Sequence, residues 1–166
     1  MRADKMTNKL QQALADAQSK ALGMDHQFIE PVHLLAALLD TGGSTVRHLL
    51  FDAGCDVSGL RSQLGQTLDR LAKVEGVGGD IHPSNELVRV LNLTDKLAQA
   101  RDDEYISSEM FVLAALQEGG DLGRIMRVAG ITEQRVVEAI DTVRGDEKID
   151  DPNAEENRQA LEKYTI

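Results

Sequence analysis

The pattern of apolar and polar residues repeats itself once along the chain. Residues 28–39, FIEPVHLLAALL, and residues 105–116, YISSEMFVLAAL, each consist of an aromatic–Ile pair, a polar break and an apolar run. Each run is too short to cross a membrane and is typical of a buried helix. Glu30 and Ser107 stand where an N-cap residue belongs. Both copies therefore predict a buried helix that begins at the same point.

The match continues towards the N-terminus at a fixed offset of 77 residues. The paired positions hold identical residues: Asn8 and Asn85, Leu10 and Leu87, Leu14 and Leu91, Ala21 and Ala98, Asp25 and Asp102. A period of this length is too long for a solenoid repeat. The chain therefore predicts an all-α fold in which two pseudo-symmetric four-helix repeats, residues 1–75 and 80–145, pack into one globular domain with their buried helices facing one another.

Four helices are expected in each repeat. In the first, Thr7 caps a long helix, and Asp56 starts another helix after the buried one and a short amphipathic stretch. In the second, Ser84 and Thr132 stand at the corresponding caps. Glycines separate the helices, and the last helix ends near Gly145. The order of elements is thus the same in both repeats.

Three segments lie outside the repeated pattern. Residues 76–80, GVGGD, follow no apolar strand and precede no Lys-Ser/Thr pair, so we expect a flexible loop between the repeats rather than a phosphate-binding loop. Residues 146–158 are acidic, contain Pro152 and lack periodicity, which predicts a flexible, solvated linker. Residues 159–166 begin an amphipathic element that is not completed, which indicates that the chain is cut from something longer.

Composition restricts the core and the class of partner. Aromatic residues make up 3% of the chain and Trp is absent, which favours packed helices over a sandwich or barrel. The 18 basic and 28 acidic residues give a net charge of -10, which would repel nucleic acid and anionic lipid. Cys55 has no partner for a disulfide or zinc site, and the first residues lack the apolar core of a signal peptide. We therefore expect a cytoplasmic protein that binds neither nucleic acid nor membrane.

No catalytic centre is predicted. The four histidines lack the spacing of a metal site, and His33 lies inside an apolar helix, where a core role is expected. Asp102, Asp103 and Glu104 are adjacent, as in a solvated helix connection rather than a cation site. The chain has no GxSxG elbow and no Walker motif. We expect this chain to have no enzyme activity, metal or cofactor of its own.

The two repeats differ in one apolar stripe. Val90, Leu93 and Leu97 add a second stripe to the long helix of repeat two, where repeat one has small or polar residues. At the head of the buried helix, His33 of repeat one is replaced by Met110. Two explanations stay open. The stripe either seals the interface between the repeats, or it lines an exposed groove that accepts apolar peptide segments, with Met110 as an adaptable wall.

The repeated segments carry a family resemblance over essentially the whole chain. Together with VEGVGGD, ELVRVLNLTDKLAQ and ALEKYTI, they resemble the N-terminal Clp-repeat domain of ClpB-type bacterial ATP-dependent disaggregases. The resemblance implies a domain that captures unfolded or aggregated polypeptide and passes it to the threading pore of a hexameric AAA+ chaperone. A cooperating chaperone system is a further partner that the resemblance implies. It also implies that residues 159–166 start the first nucleotide-binding domain, and that ATP and Mg²⁺ belong to that missing part.

The resemblance also implies which residues bind substrate. The apolar walls of the family's groove correspond to Leu93, Leu97 and Met110, to which the periodicity of the helix adds Val90. The polar residues at the rim correspond to three further positions, Thr7, Asp103 and Glu109. Each of these three also suits a structural role, as a helix cap, a loop acid and an acid at a helix N-terminus.

Two other functions stay open at this point. Related Clp ATPases carry a similar double repeat that docks an adaptor protein for a protease partner, which predicts one defined partner bound tightly. A structural cap that stiffens the hexamer is the second alternative, and it predicts no client binding.

Overall fold

The computed structural model describes residues 2–40, 45–74, 80–145 and 148–155. A 3₁₀ turn at Ala3–Lys5 precedes repeat one, whose elements are α1 (Asn8–Gly23), β1 (Phe28–Ile29), α2 (Pro31–Asp40), α3 (Thr45–Asp52) and α4 (Val57–Arg70). Repeat two consists of β2 (His82–Pro83), α5 (Asn85–Ala100), α6 (Ser108–Glu118), α7 (Gly120–Val128) and α8 (Glu133–Arg144), so its four helices follow in the same order, whereas β2 precedes the first helix and β1 follows it. The prediction of an all-α fold with four helices per repeat is confirmed.

The predicted caps begin four of the helices. Thr7 and Ser84 accept hydrogen bonds from the third residue of α1 and α5, at 3.3 and 3.0 Å. Asp56 and Thr132 do the same for α4 and α8, at 3.1 and 3.2 Å. Each cap satisfies one of the backbone N–H groups that an α-helix leaves unpaired at its start. The helix boundaries therefore follow from local sequence.

Helices α2 and α6 form the centre of the molecule. Every residue of α2 from Pro31 to Leu39 is buried, and every residue of α6 from Ser108 to Leu116 is buried. Helix α6 packs against α3, α5, α7 and α8, and α2 packs against α1, α3 and α4. Their side chains belong to one apolar cluster that runs through both repeats. A helix that is apolar on all sides requires such a position.

The repeats are joined by two equivalent backbone pairings. Ile29 of β1 pairs in parallel with Pro83 of β2, and Met6 pairs in parallel with Ile106. The offset of 77 residues relates Met6 to Pro83 and Ile29 to Ile106. The neighbouring hydrogen bonds repeat the relation, since Thr7 N and Ser84 N donate to the carbonyls of Ile106 and Ile29, both at 2.9 Å. The first segment of each repeat therefore pairs with the segment that precedes the buried helix of the other repeat, and the two pairings are related by a pseudo-twofold axis.

The ends of the two long helices are also equivalent. Asp25 and Asp102 have φ values of 58° and 60°, in the left-handed region. Aspartate tolerates this conformation better than most side chains do. The residue after each aspartate donates its N–H back into the helix at 2.9 Å, from His26 to Ala21 and from Asp103 to Ala98. This turn aims His26 and Asp103 inward.

Two predictions concern residues outside the described ranges. They are the start of a further domain, at residues 159–166, and residues 76–79 of the flexible loop predicted at 76–80. Residues 146–147 and 156–158 of the predicted linker also lie outside these ranges. Among the helices that the structure describes, none has the length and apolar character needed to span a membrane.

Candidate functional site

The apolar stripe of α5 divides into a buried part and a surface part. Val90 is only 2% exposed, whereas Leu93 and Leu97 are half-buried against the core. The expectation that Val90 lines an exposed groove is therefore wrong. The twin position in repeat one, Ala13, is 1% exposed, so this position is buried in both repeats and the change from Ala to Val adds volume to the core rather than to the surface. Leu93 and Leu97 remain the apolar residues of the stripe that solvent reaches.

Met110 is not a wall of an exposed groove either. Its side chain is 0% exposed. It is the third residue of α6, the helix that α3, α5 and α8 all contact. Met110 packs inside the domain, so a client could reach it only if the core opened. For Val90 and Met110, core packing is the explanation that the structure supports.

An ion pair fixes the N-terminal segment to α5. Arg2 Nη2 and Nε donate to the Asp95 carboxylate at 2.8 and 3.1 Å. Burial raises the pKa of Asp95, but the hydrogen bonds from Arg2 and Gln99 outweigh burial and lower that pKa to about 2. Asp95 therefore stays ionised at neutral pH. The pair links the beginning of repeat one to the helix that carries Leu93 and Leu97.

The three residues predicted for a polar rim lie in the interior instead. Thr7, Asp103 and Glu109 are 0%, 5% and 4% exposed. The two acids are paired with Arg144, at the end of α8, which donates to Asp103 at 2.8 Å and to Glu109 at 3.2 Å, whereas the hydroxyl of Thr7 donates to Glu155. Buried carboxylates need such partners, because desolvation of an unpaired charge is costly. The prediction of an exposed rim is wrong, and the acids Asp103 and Glu109 form a buried charge cluster.

Residues 148–155 pack against this cluster. Ile149 and Glu155 are each 1% exposed. Ile149 N donates to Asp103 Oδ1 at 3.0 Å, and the carbonyl of Ile149 accepts from Glu104 N at 2.8 Å. The prediction of a flexible, solvated linker is wrong for this stretch, because its ends are buried although its middle is polar. Acidic composition did not reveal the long-range contacts that hold it.

An open groove of about 560 Å³ lies between α3 and α4 of repeat one. Sequence reasoning did not identify it. Its lining combines an aromatic ring with basic side chains: Arg47, His48, Phe51, Val57, Ser58 and Arg61. Phe51 is 71% exposed, which is unusual for an aromatic side chain in a chain with few of them.

The comparison of the repeats explains why Phe51 is free. Near the Ala-Gly turns the offset is 76, so Phe51 corresponds to Arg127. Arg127 donates to the carbonyl of Leu116 at the end of α6, at 2.7 Å. In repeat one Arg61 makes the equivalent contact, to Leu39 at 3.1 Å. Phe51 therefore makes no hydrogen bond to the carbonyl groups at the end of α2. The difference between Phe51 and its twin, Arg127, is the sequence signal that could have identified this groove.

The remaining reactive side chains are structural. His33 Nδ1 accepts from Glu30 N at 2.8 Å, and His33 Nε2 lies 2.7 Å from His26 Nδ1. This arrangement requires His33 to carry its proton on Nε2 and donate it to His26, with both rings neutral. The prediction of a core histidine is confirmed. Burial raises the pKa of Cys55 to about 11, which makes it a poor nucleophile.

No group of three or more metal-ligating side chains occurs in residues 2–40, 45–74, 80–145 and 148–155. The adjacent acids Asp102, Asp103 and Glu104 point in different directions: Asp103 is buried on Arg144, whereas Asp102 and Glu104 are exposed. The site candidates are therefore apolar and charged surfaces that could contact another polypeptide.

Comparisons with known proteins agree with this architecture. The model of the Clp repeat (R) N-terminal domain family matches residues 5–129. The chaperone protein ClpB of Vibrio cholerae is 57% identical over 166 residues, which are 100% of this chain and 19% of that protein. The ClpB of Pseudomonas putida is 48% identical over the same length, again 19% of the protein. The chain thus spans about a fifth of the length of these curated relatives.

Solved structures show the same fold. The N-terminal domain of Hsp104 from Candida albicans has a TM-score of 0.81 at 21% identity, covering 91% of this chain and 99% of that one. A ClpV N-domain in complex with a VipB peptide has a TM-score of 0.71 at 23% identity, covering 87% and 89% of the two chains. With the family model matched over both repeats and the relatives aligned over the full length, the chain belongs to the Clp repeat (R) N-terminal domain family and is similar to the N-terminal part of ClpB chaperones.

Proposed function

We propose that this domain captures exposed apolar segments of unfolded or aggregated proteins for a ClpB-type AAA+ chaperone. The parent protein would be a cytoplasmic hexamer that hydrolyses ATP in domains beyond this chain and threads the captured polypeptide through its pore. Stress response and cooperation with another chaperone system belong to the same proposal. The similarity to ClpB over the whole chain supports it.

One observation carries the assignment to this molecule. Leu93 and Leu97 stay half-buried on α5, one turn apart, while the twin positions of repeat one hold Asp16 and Lys20. The fold of repeat one therefore shows that the architecture does not need leucine there. An apolar pair of this kind on a chain with a net charge of -10 suits brief contact with apolar segments.

The size of this surface predicts weak binding. Burying roughly 200–300 Å² of apolar area gives about 5–8 kcal/mol gross, at about 25 cal/mol per Å². The loss of translational and side-chain freedom on association takes back much of that gain, which leaves micromolar or weaker affinity. A domain that samples many clients requires fast release of each.

Backbone NMR of the isotope-labelled chain tests the proposal. The probe is a permanently unfolded polypeptide, reduced and carboxymethylated lactalbumin. We expect saturable shifts at the amides around Leu93 and Leu97, with a dissociation constant of about 10–100 µM. The double variant Leu93→Asp, Leu97→Asp should lose the shifts, because a carboxylate in the contact resists desolvation.

Val88→Asp is the matched control. Val88 is 44% exposed on the same helix, and it lies on the opposite side from Leu93 and Leu97 at about 100° per residue. This variant should bind as the wild type does, with circular dichroism confirming the native helix content of all variants. Shifts centred on Phe51, or no shifts in the folded protein, would reject the α5 site.

Docking of an adaptor protein is the second candidate function. It is favoured by the fold that this chain shares with a ClpV N-domain solved with a VipB peptide. It predicts one partner that binds tightly and remains bound through washing in a pull-down with the full-length protein. A structural cap predicts that Leu93→Asp leaves disaggregation by the full-length protein unchanged.

A further inference from the structure

The carboxylate of Glu155 lies in a pocket formed by three helix starts. Its two oxygens accept from the hydroxyl of Thr7, from the hydroxyl of Thr45 at 3.2 Å, and from the backbone N–H of Ser108 at 3.3 Å. Thr7 precedes α1, whereas Thr45 and Ser108 are the first residues of α3 and α6. Unpaired N–H groups and the helix dipole make such starts favourable for an anion.

The pocket has a counterpart in the other repeat. There the carboxylate belongs to Glu30: burial raises its pKa, and the side chain of Ser84, the twin of Thr7, acts in the opposite direction. The twin of Glu30 is Ser107, which has no carboxylate and instead accepts from Arg144 at 3.0 Å. In repeat one the carboxylate comes from Glu30, within the repeat itself. In repeat two it comes from Glu155, which lies beyond the end of the repeat. The correspondence is limited to the carboxylate and the cap residue, since the twin of Ser108 is Pro31, which has no N–H to donate.

The rest of the segment is held at further points. Ile149 is buried, and its carbonyl accepts from the backbone N–H groups of Glu104 and Tyr105 at 2.8 and 3.0 Å. Its own N–H donates to the Asp103 carboxylate at 3.0 Å. The carbonyl of Pro152 accepts from Asn8 N, in the first turn of α1, at 2.9 Å. Asp150 and Asn153, between the anchors, are exposed. Lys148 also pairs with Asp102 at 3.4 Å, and Asn153 accepts a hydrogen bond from the side chain of Asn8. The segment therefore crosses the surface as a strap that is attached at separate points.

We propose that the pocket of Thr7, Thr45 and Ser108 is a carboxylate-binding site whose ligand is Glu155, and that its occupation holds residues 148–155 on the domain reversibly. Occupation fixes the position of Glu155 against the starts of α1, α3 and α6. Release frees the segment and uncovers Thr7 and the Asp103 cluster.

Burial argues for reversible docking. Moving a carboxylate out of water costs several kcal/mol in general, and three hydrogen bonds offset only part of this cost. Burial accordingly raises the pKa of Glu155. The strap therefore opens below the free energy of global unfolding, in the range of sub-global openings that hydrogen exchange detects. This inference stands apart from client binding by α5.

Amide hydrogen exchange by NMR on the whole 166-residue chain tests it. The reporters are three amides that form hydrogen bonds between the strap and the rest of the domain. The amides of Asn8 and Glu104 donate to carbonyls of the strap, and the amide of Ile149 donates to Asp103. We expect Glu155→Ala to speed their exchange by roughly tenfold or more, while the amides of α2 keep their protection. Glu155→Gln, which keeps one acceptor oxygen, should lie between.

Asp150→Ala is the control, since it removes an exposed carboxylate from the same segment. It should exchange as the wild type does. Fast exchange of Ile149 in the wild type, or unchanged protection in Glu155→Ala, would overturn the docking site. Loss of protection throughout α2 in both Glu155 variants would also overturn it, because Glu155 would then be a part of the core rather than an exchangeable ligand.

Discussion

At the scale of single residues, the buried histidine pair makes stability depend on pH. Burial lowers the pKa of His33 to about 4, and burial also lowers the pKa of His26. The unfolded value is about 6.5. Because the folded pKa lies below the unfolded one, the stabilisation is fully present above about pH 6.5 and is lost as the pH falls towards 4. Protonation would also place two donors against each other between the rings.

We therefore expect the free energy of unfolding to fall by about 1–3 kcal/mol between pH 7 and pH 4 on account of this pair. Urea unfolding at a series of pH values measures it. His33→Gln should be less stable at pH 7 but should show a shallower loss on acidification, because the group that titrates is gone.

His82→Gln is the control for this measurement, because His82 is exposed in β2 and has no part in the pair. It should keep the wild-type slope. A slope in His33→Gln equal to that of the wild type would show that carboxylates alone cause the acid sensitivity.

At the scale of elements, two helical glycines have opposite roles. A Cβ built on Gly123 of α7 would lie 2.9 Å from the carbonyl oxygen of Ala115, so α7 approaches the backbone of α6 too closely for a side chain. A Cβ on Gly65 of α4 would meet nothing within 4 Å. The first glycine allows close packing of two helices, whereas the second only adds flexibility to the unfolded chain.

Gly65→Ala should therefore raise the free energy of unfolding by about 0.5–1 kcal/mol. Gly123→Ala should lower it by about 1–3 kcal/mol, because the backbone of α6 cannot yield without strain. Chemical unfolding of the two variants measures both changes, and each variant serves as the other's control. Equal effects of the same sign would show that α6 and α7 are not in close contact.

The elements themselves were predictable, because their signals are local. Caps such as Thr7 and Ser84, apolar spacing and the internal repeat identify α1, α5 and the two buried helices. The left-handed aspartates at the helix ends follow from the same repetition. A pattern that occurs twice at one offset is strong evidence for a structure that occurs twice.

Exposure was less predictable, because it depends on long-range packing. Periodicity places Val90 and Met110 on a helix face, but it does not tell how many helices cover that face. The segment ending at Glu155 is a second case, since its contacts with Thr7 span 148 residues. An acidic composition is typical of a linker, and only the pocket at three helix starts explains why this one is bound.

At the scale of the whole molecule, the two repeats cannot separate without losing the backbone pairings and the apolar contacts between them. The entry segment of each repeat pairs with the strand before the buried helix of the other, at Ile29 with Pro83 and at Met6 with Ile106. One apolar cluster includes residues from all eight helices of the described chain. The duplication has therefore produced one cooperative unit rather than two joined domains.

This interlocking predicts that a core cavity in either repeat destabilises both. Leu35→Ala in α2 and Leu116→Ala in α6 each remove a side chain that is 0% exposed, and each should cost about 2–5 kcal/mol. Native-state hydrogen exchange should report the same loss at the core amides of α2 and of α6 in both variants, because the exchange of these amides requires global unfolding. If Leu35→Ala lowered protection in α2 and left α6 unchanged, the repeats would be independent, and the paired segments at Ile29 and Ile106 would be contacts between two domains.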